Sequence, residues 1–187
     1  MNGSIRIIGG KWRGRKLIVL DKQGLRPTTD RVKETLYNWL MPVIYDSDCL
    51  DCFSGSGSLG FEAASRGAKS VILLEKDKQV VQLLNKNKQI ISGDTIEIHQ
   101  TNTLIWLNQP AQKQFDIVFI DPPFYQSLVA QTVSQLEKNN WLKSFAYIYI
   151  ETEKDYELMT HIPTNWQLHR EKIVGQVHSY LFIREDN

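Results

Sequence analysis

Cysteine is scarce in this chain of 187 residues, with only Cys49 and Cys52 present. That excludes a disulfide-stapled scaffold and fits a reducing cytoplasm. The pair has Cys-x-x-Cys spacing, but it flanks Leu50 and Asp51 inside an expected strand instead of opening a helix. Small core residues are therefore the reading, and redox chemistry is set aside. Histidine is equally thin: His99, His161, His169 and His178 have no metal-ligand spacing, so no metal is expected. No apolar run is long enough to cross a bilayer, and the N-terminus has no apolar signal region. Neither a membrane partner nor secretion is implied. Internal repeats and low-complexity segments are absent. Of the six prolines, two are adjacent, Pro122-Pro123.

What is present points to an ordered domain. The apolar content of 42% and the five Trp, seven Tyr and seven Phe suit a sizeable core and argue against disorder. The length fits one main domain with a short appendage. The net charge of +1 conceals an asymmetry. Residues 1–33 hold nine basic and two acidic side chains, or +7, whereas the rest holds 13 basic and 19 acidic, or −6. A basic end on an acidic body suits a polyanionic partner met mainly by that end, with a solvated positive surface as the plainer alternative.

The first stretch reads as a hairpin, with Ile5–Ile8 and Lys16–Leu20 as strands and Gly9-Gly10 as the turn. Asp30 stands where a helix N-cap belongs, and Val32, Leu36, Trp39 and Leu40 repeat at helical spacing. A helix over 31–41 follows, stopped by Pro42. From Cys49 the chain alternates. Strands are expected near 48–53, 70–75, 95–100, 116–121 and 145–151, and helices near 58–66, 77–91, 103–108 and 126–139. Near-continuous apolar strands between helices mean an α/β fold, a mostly parallel Rossmann-like sheet with helices on both faces. The tail differs: Gln167–Val174 and Val177–Arg184 flank Gly175-Gln176 as an antiparallel hairpin. Residues 1–45 form a basic extension and 46–187 the main domain. Tyr37, Trp39 and Trp106 are expected in the core.

Two strand-to-loop junctions carry the chemistry. The first, Asp51-Cys-Phe-Ser-Gly-Ser-Gly-Ser-Leu-Gly60, contains G-x-G-x-x-G after a strand and before a helix. Its glycines let backbone approach a nucleotide-like ligand closely, with Ser54, Gly55 and Gly57 as contacts. A dinucleotide would satisfy the loop alone. Asp51, however, is placed to meet a cationic group such as the ammonium of S-adenosylmethionine, and a pyrophosphate would find that charge unwelcome. Glu75 closes the next strand, where a carboxylate accepts from ribose hydroxyls in either cofactor class. Asn102 has two readings, an adenine contact or a helix cap.

The second junction is Asp121-Pro-Pro-Phe124, just past the apolar run Asp116–Ile120. An exocyclic amine of a nucleobase is a poor nucleophile because its lone pair delocalises into the ring. Acceptors for its N–H hydrogens draw the lone pair back onto nitrogen. The Asp121 carboxylate and the Pro122 carbonyl supply two acceptors, Pro122 and Pro123 hold them rigid, and Phe124 offers a face for stacking a flipped base. The plainer alternative makes the string a loop stop with Phe124 in the core.

These motifs and their spacing resemble the class I S-adenosylmethionine-dependent methyltransferases that act on amino groups. Arg6-Ile-Ile-Gly-Gly-Lys-Trp-Arg-Gly-Arg-Lys-Leu17, Leu25-Arg-Pro-Thr-Thr-Asp-Arg31 and the tail Trp166–Lys172 with Gly175-Gln176 are more specific. They resemble the RsmD family of bacterial 16S ribosomal RNA guanine-N2 methyltransferases over nearly the whole chain. The resemblance implies a seven-stranded sheet with a reversed hairpin at one edge. It also implies a guanine of small-subunit rRNA as target, presented in a ribosomal protein–RNA particle. By the same resemblance Arg26, Thr28 and Thr29 belong to a loop over the cofactor, and Asp121 to Phe124 carry the target base.

In the basic extension Arg6, Lys11, Arg13, Arg15 and Lys16 are the expected phosphate contacts, and Trp12 either stacks on a base or packs beneath them. Three other functions stay open on the residues: a DNA amino-methyltransferase, an NAD-dependent oxidoreductase, and a non-catalytic RNA-binding assembly factor.

Overall fold

Apolar runs and amphipathic stretches alternate along the chain, and the computed structural model realises them as strand and helix in turn. The structure describes residues 2–20, 29–124 and 126–186. In chain order the elements are β1 (Asn2–Arg6), β2 (Lys16–Leu20), α1 (Asp30–Leu40), β3 (Asp48–Asp51), α2 (Ser58–Ser65), β4 (Ser70–Glu75) and α3 (Lys78–Ile91). There follow β5 (Ile96–Gln100), α4 (Thr103–Leu107), β6 (Phe115–Ile120), α5 (Leu128–Lys138), β7 (Leu142–Glu153), β8 (Trp166–Val174) and β9 (Val177–Arg184).

Strands β3 to β9 form one seven-stranded sheet in the order β5-β4-β3-β6-β7-β9-β8. Pairings from β5 through β7 are parallel, and β9 runs antiparallel to both β7 and β8. The chain leaves β3 toward β4 and β5, then returns to place β6 on the other side of β3. That reversal opens a crevice at the C-terminal ends of β3 and β6, where ligands bind in sheets of this kind.

Alternation along the strands divides the core in two. Cys49, Ile117, Phe119 and Tyr149 face one layer, with Leu36 and Tyr37 of α1, Leu59 and Phe61 of α2 and Leu84 of α3. Leu50, Cys52, Val118 and Ile120 face the other, with Leu107 of α4 and Val129, Val133 and Leu136 of α5. The two cysteines are thus buried, unpaired, and on opposite faces.

Helix α2 is buried all round, as its apolar sequence requires. Its outer side is covered by the N-terminal segment, whose Ile5, Ile7, Trp12, Leu17 and Val19 join the same core. β1 ends at Arg6, two residues short of the expected strand. Gly9-Gly10 is not a tight hairpin turn: Ile7 still bonds Arg15 O and Gly14 N, and residues 8–13 loop out to dock on the end of α2. Lys11 N donates to Ser65 O at 2.7 Å, Trp12 N to Ser65 Oγ at 2.9 Å, and Ile8 N to the buried Glu62 Oε2 at 2.9 Å. Gly10 lies at φ +73°, and a Cβ there would stand 1.9 Å from Ser65 O, so no other residue fits without displacing the contact.

Other boundaries moved for local reasons. Thr29, not Asp30, caps α1, its hydroxyl accepting from Val32 N at 3.4 Å, and Asp30 becomes the first helical residue. β7 starts at Leu142, which pairs with Phe115 before an irregularity carries the register to Ile117 and Tyr147. The exposed Phe145 at φ +59° breaks the alternation there. At the opposite end from the crevice, Asp48 accepts from Ser70 Oγ at 2.7 Å and pairs with Lys113 at 2.8 Å and Lys143 at 3.0 Å. Lys143 also reaches Asp116 at 2.8 Å. These partners outweigh partial burial and hold the Asp48 carboxyl well below the usual carboxylate range. Among the described residues no helix is long and apolar enough to cross a membrane.

β2 is fastened from the side by Asn87 of α3, which accepts from Ile18 N at 3.1 Å and donates to Ile18 O at 2.8 Å. Asn87→Ala strands both backbone groups against a buried surface. It should lower stability by about 2 kcal/mol, seen as a reduced urea midpoint at unchanged slope.

Candidate active site

The two chemical junctions lie side by side because their strands are neighbours. β3 and β6 pair with Asp51 opposite Phe119, and Cys52 N donates to Phe119 O at 3.0 Å. Asp121 is two residues beyond Phe119, so both loops leave the same edge of the sheet. Asp121 is partly buried, Pro122 buried, Pro123 exposed and Phe124 partly buried. Neighbouring strands add Glu75 at the end of β4 and Asn102 just beyond β5.

The glycine loop is tied down from three directions. Gly57 N donates to Ser54 O at 2.7 Å, Ser54 N to Leu74 O at 3.0 Å, and Gly55 N to Glu75 Oε2 at 3.0 Å. Glu75 Oε1 accepts from Asp77 N at 2.8 Å, so this carboxylate joins the loop after β3 to the turn after β4. Gly57 enters α2 at φ +77°, and a Cβ on it would meet the Phe61 ring at 2.5 Å. The backbone can follow this path only without a side chain.

Asp51 lies beneath that loop with 1% of its surface exposed. Its Oδ2 accepts from Gly60 N at 3.2 Å, while Oδ1 is buried with no hydrogen-bond partner among the described residues. Burial pushes its pKa up to about 7, the backbone N–H groups of Gly60 and Phe53 oppose the rise, and the Glu75 charge adds to it. An orphaned, desolvated acceptor of this kind is costly in isolation and suits a cationic donor. An α-ammonium group fits it, whereas a pyrophosphate would be repelled.

Asn102 is a helix cap in the structure: Oδ1 accepts from Leu104 N at 2.9 Å and Ile105 N at 3.3 Å. Its acceptor is thereby committed to α4. Thr29 likewise serves α1. Arg26 and Thr28 lie outside the described residues. On the N-terminal segment Arg6, Lys11, Arg13, Arg15 and Lys16 are all exposed. Trp12 is different: it is 7% exposed, belongs to the core, and has the Lys11 ammonium 5.4 Å from its ring centroid. The indole packs beneath a basic side chain and offers no open face for a base.

Three residues with structural roles at the site escaped sequence reasoning. Thr103 Oγ1 donates to Cys52 O, tying the turn after β5 to the end of β3. Glu62, 0% exposed, accepts from Ile8 N and from Arg66 Nε at 2.8 Å. Ser65 Oγ donates to Gly9 O at 2.6 Å. An acid within an otherwise apolar helix was the one available signal.

The family described as conserved hypothetical protein 95 matches residues 5–183. Ribosomal RNA small subunit methyltransferase D of Haemophilus influenzae is 56% identical over 183 residues, covering 96% of this chain and 94% of that protein. The protein of the same name from Escherichia coli K12 is 52% identical over 184 residues, covering 98% and 92%. A solved putative methyltransferase from Escherichia coli, yhhF, shares the fold with a TM-score of 0.92 and 50% identity, over 98% of this chain and 99% of that one. Precorrin-6y C5,15-methyltransferase from Geobacter metallireducens, at 15% identity and a TM-score of 0.70 over 90% and 94%, shows the fold alone.

The Asp51 carboxyl gives a pH signature. A cation bound to it favours the ionised form, so the free carboxyl at about 7 shifts lower on binding. S-adenosylmethionine affinity should therefore be full above pH 7 and fall by up to about tenfold per unit below it. Asp51→Asn should weaken binding and flatten that dependence in calorimetric titration.

Proposed function

The chain belongs to the conserved hypothetical protein 95 family, and we propose that it methylates the exocyclic N2 amine of a guanine in small-subunit (16S) ribosomal RNA, presented in a ribosomal protein–RNA particle. S-adenosylmethionine is its cofactor, and when bound it supplies an electrophilic methyl group on a sulfonium centre. The observation that carries the reading is the pairing of β3 with β6, which puts the glycine loop over Asp51 and the Asp121-Pro-Pro-Phe124 string at one crevice. Such an arrangement serves a methyl donor on one side and a planar amine on the other.

Each residue then has a task. Asp51 receives the ammonium group, Glu75 the ribose hydroxyls, and Ser54, Gly55 and Gly57 let backbone approach. Asn102 bounds the adenine side while capping α4. Arg26 and Thr28, which lie outside the described residues, and Thr29, which caps α1, are the further cofactor contacts in this reading. Phe124 stacks on the base after it leaves its helix. Asp121 and the Pro122 carbonyl accept the two amine hydrogens, which localises the nitrogen lone pair toward the methyl group. Forming the new N–C bond would break the sulfonium S–C bond, with its electron pair left on sulfur, and the amine proton, now acidic, would pass to Asp121 or water, so no strong base is needed. The larger contribution is positioning, worth ~7–11 kcal/mol where geometry is good.

The relatives' names specify ribosomal RNA of the small subunit. The exposed basic residues Arg6, Lys11, Arg13, Arg15 and Lys16 suit a phosphate backbone, and the acceptor pair suits an exocyclic amine, which in guanine is N2. Mass mapping of rRNA from cells with and without the protein should reveal one N2-methylguanine that depends on it. Asp121→Ala should lower methyl transfer at least ~100-fold while leaving cofactor affinity within about threefold. If the substituted enzyme keeps its rate, Asp121 has no role in activating the amine. Replacing Arg13 and Arg15 together with Ala should weaken RNA binding and reduce its salt slope by about 2. Equal binding at every salt concentration would remove the segment from the interface.

A further inference from the structure

A second carboxyl stands at the reacting edge. β6 and β7 pair in parallel with Phe119 opposite Tyr149 and Ile120 opposite Ile150. Asp121 and Glu151 directly follow those pairs, about one strand spacing (~4.8 Å) apart in the backbone. By strand alternation Glu151 points to the face that holds Phe119 and Tyr149, whose rings meet edge-on at 6.5 Å, and Asp121, one residue past β6, lies near enough to Tyr149 for its charge to add to the rise that burial gives the phenol pKa. That face also holds Asp51 and is covered by α1 and α2.

Glu151 is 6% exposed and is held in a small polar cluster. The Tyr149 hydroxyl donates to Glu151 Oε1 at 2.7 Å and lies 3.1 Å from Ser179 Oγ, and Ser179 is the register partner of Glu151 on β9. Tyr149 is the only donor reaching this carboxyl among the described residues. Burial raises the Glu151 pKa and the Tyr149 hydroxyl opposes the rise. A carboxyl so placed has one oxygen oriented by the Tyr149 hydroxyl and a second that meets no donor among the described residues and is open to a ligand. Nothing in the methyl-transfer steps above uses it.

The chemistry of the bases indicates what completes it. Guanine presents two donors side by side, the N2 amine and N1–H. Adenine and cytosine present an amine beside a bare ring nitrogen, an acceptor that a carboxylate repels. Two acceptors on neighbouring strand ends therefore match a guanine edge and no other amine-bearing edge. We propose that Glu151 accepts the N1–H of the guanine whose N2 amine faces Asp121, and so sets the identity of the methylated base. Tyr149 and Ser179 act as positioning residues for that carboxyl. This inference rests on the guanine-N2 reading above.

The test uses small-subunit particles reconstituted with 2-aminopurine in place of the guanine located by mass mapping. That base keeps the 2-amino group and has no N1–H. Wild-type enzyme should favour guanine by ~100-fold or more in kcat/KM, since a site built to bind an N–H rejects the analogue lacking it. Glu151→Ala should lower turnover of guanine strongly and bring the ratio to within about fivefold of one, with cofactor affinity preserved. Should that variant fail to fold, Glu151→Gln takes its place, and its ratio should drop below about tenfold. A ratio unchanged by substitution, or near one in the wild type, overturns the assignment of Glu151 while leaving the methylation itself intact. If the wild type forms no N2-methylguanine on the unsubstituted particle, the functional reading itself fails and this inference with it.

Discussion

Glu62 is an ionisable side chain with no solvent exposure in a helix that is otherwise almost entirely apolar, and much of the molecule's organisation follows from how it is satisfied. A buried carboxylate must find donors, and here they come from the backbone of Ile8 and the guanidinium of Arg66. The basic N-terminal segment is thereby fixed to the last turn of α2. The first turn of the same helix gives Gly60 N to Asp51 and begins at the glycine loop. One short rigid rod thus joins the segment proposed to meet RNA to the floor of the cofactor site. Orientation between substrate and methyl donor then requires no flexible joint, which matters where catalysis rests on alignment.

The acids at the crevice are differentiated by environment more than by type. Asp51 is stripped of water and left with an unanswered oxygen, which prepares it for a positive charge. Glu75 is already engaged by Gly55 and Asp77 and serves first as a brace. Glu151 accepts from the Tyr149 hydroxyl, which itself lies beside Ser179. Under the proposed function and the proposal for Glu151, side chains of one charge class take three different partners, an ammonium, a sugar and a base edge, according to what surrounds each of them.

The parallel sheet was legible because its signals are local: unbroken apolar strands such as Ile117–Ile120, helical spacing such as Val80, Leu84 and Ile91, and a Gly-rich turn at the expected junction. The antiparallel tail could be read from Gly175-Gln176 between two β-rich runs. Contacts made at long range could not. Trp12 is a base platform or a core residue according to whether α2 passes beneath it. Gly9-Gly10 is a turn signal whose partner lies more than fifty residues away in sequence. Asn102 was open between ligand and cap, since both use the same oxygen, and the structure shows the cap. Thr29 and Asp30 are equally good caps in isolation, and the extended backbone at Thr29 makes the threonine the cap. Glu151 gave no signal, because its meaning comes from the register of β7 against β6.

The two ends of the sheet carry unlike kinds of charge. At the crevice, one oxygen of Asp51 is buried without a partner among the described residues. At the far end Asp48, Asp116, Lys113 and Lys143 answer one another in a small ionic lattice bound to Ser70. Such lattices gain importance with heat, as the penalty for dehydrating ions declines. A lineage moving to a warmer or colder habitat can therefore retune that end by exchanging lysines and aspartates while the reacting edge keeps its residues. Changes that tune heat resistance and changes that alter the chemistry thus fall at opposite ends of the same sheet.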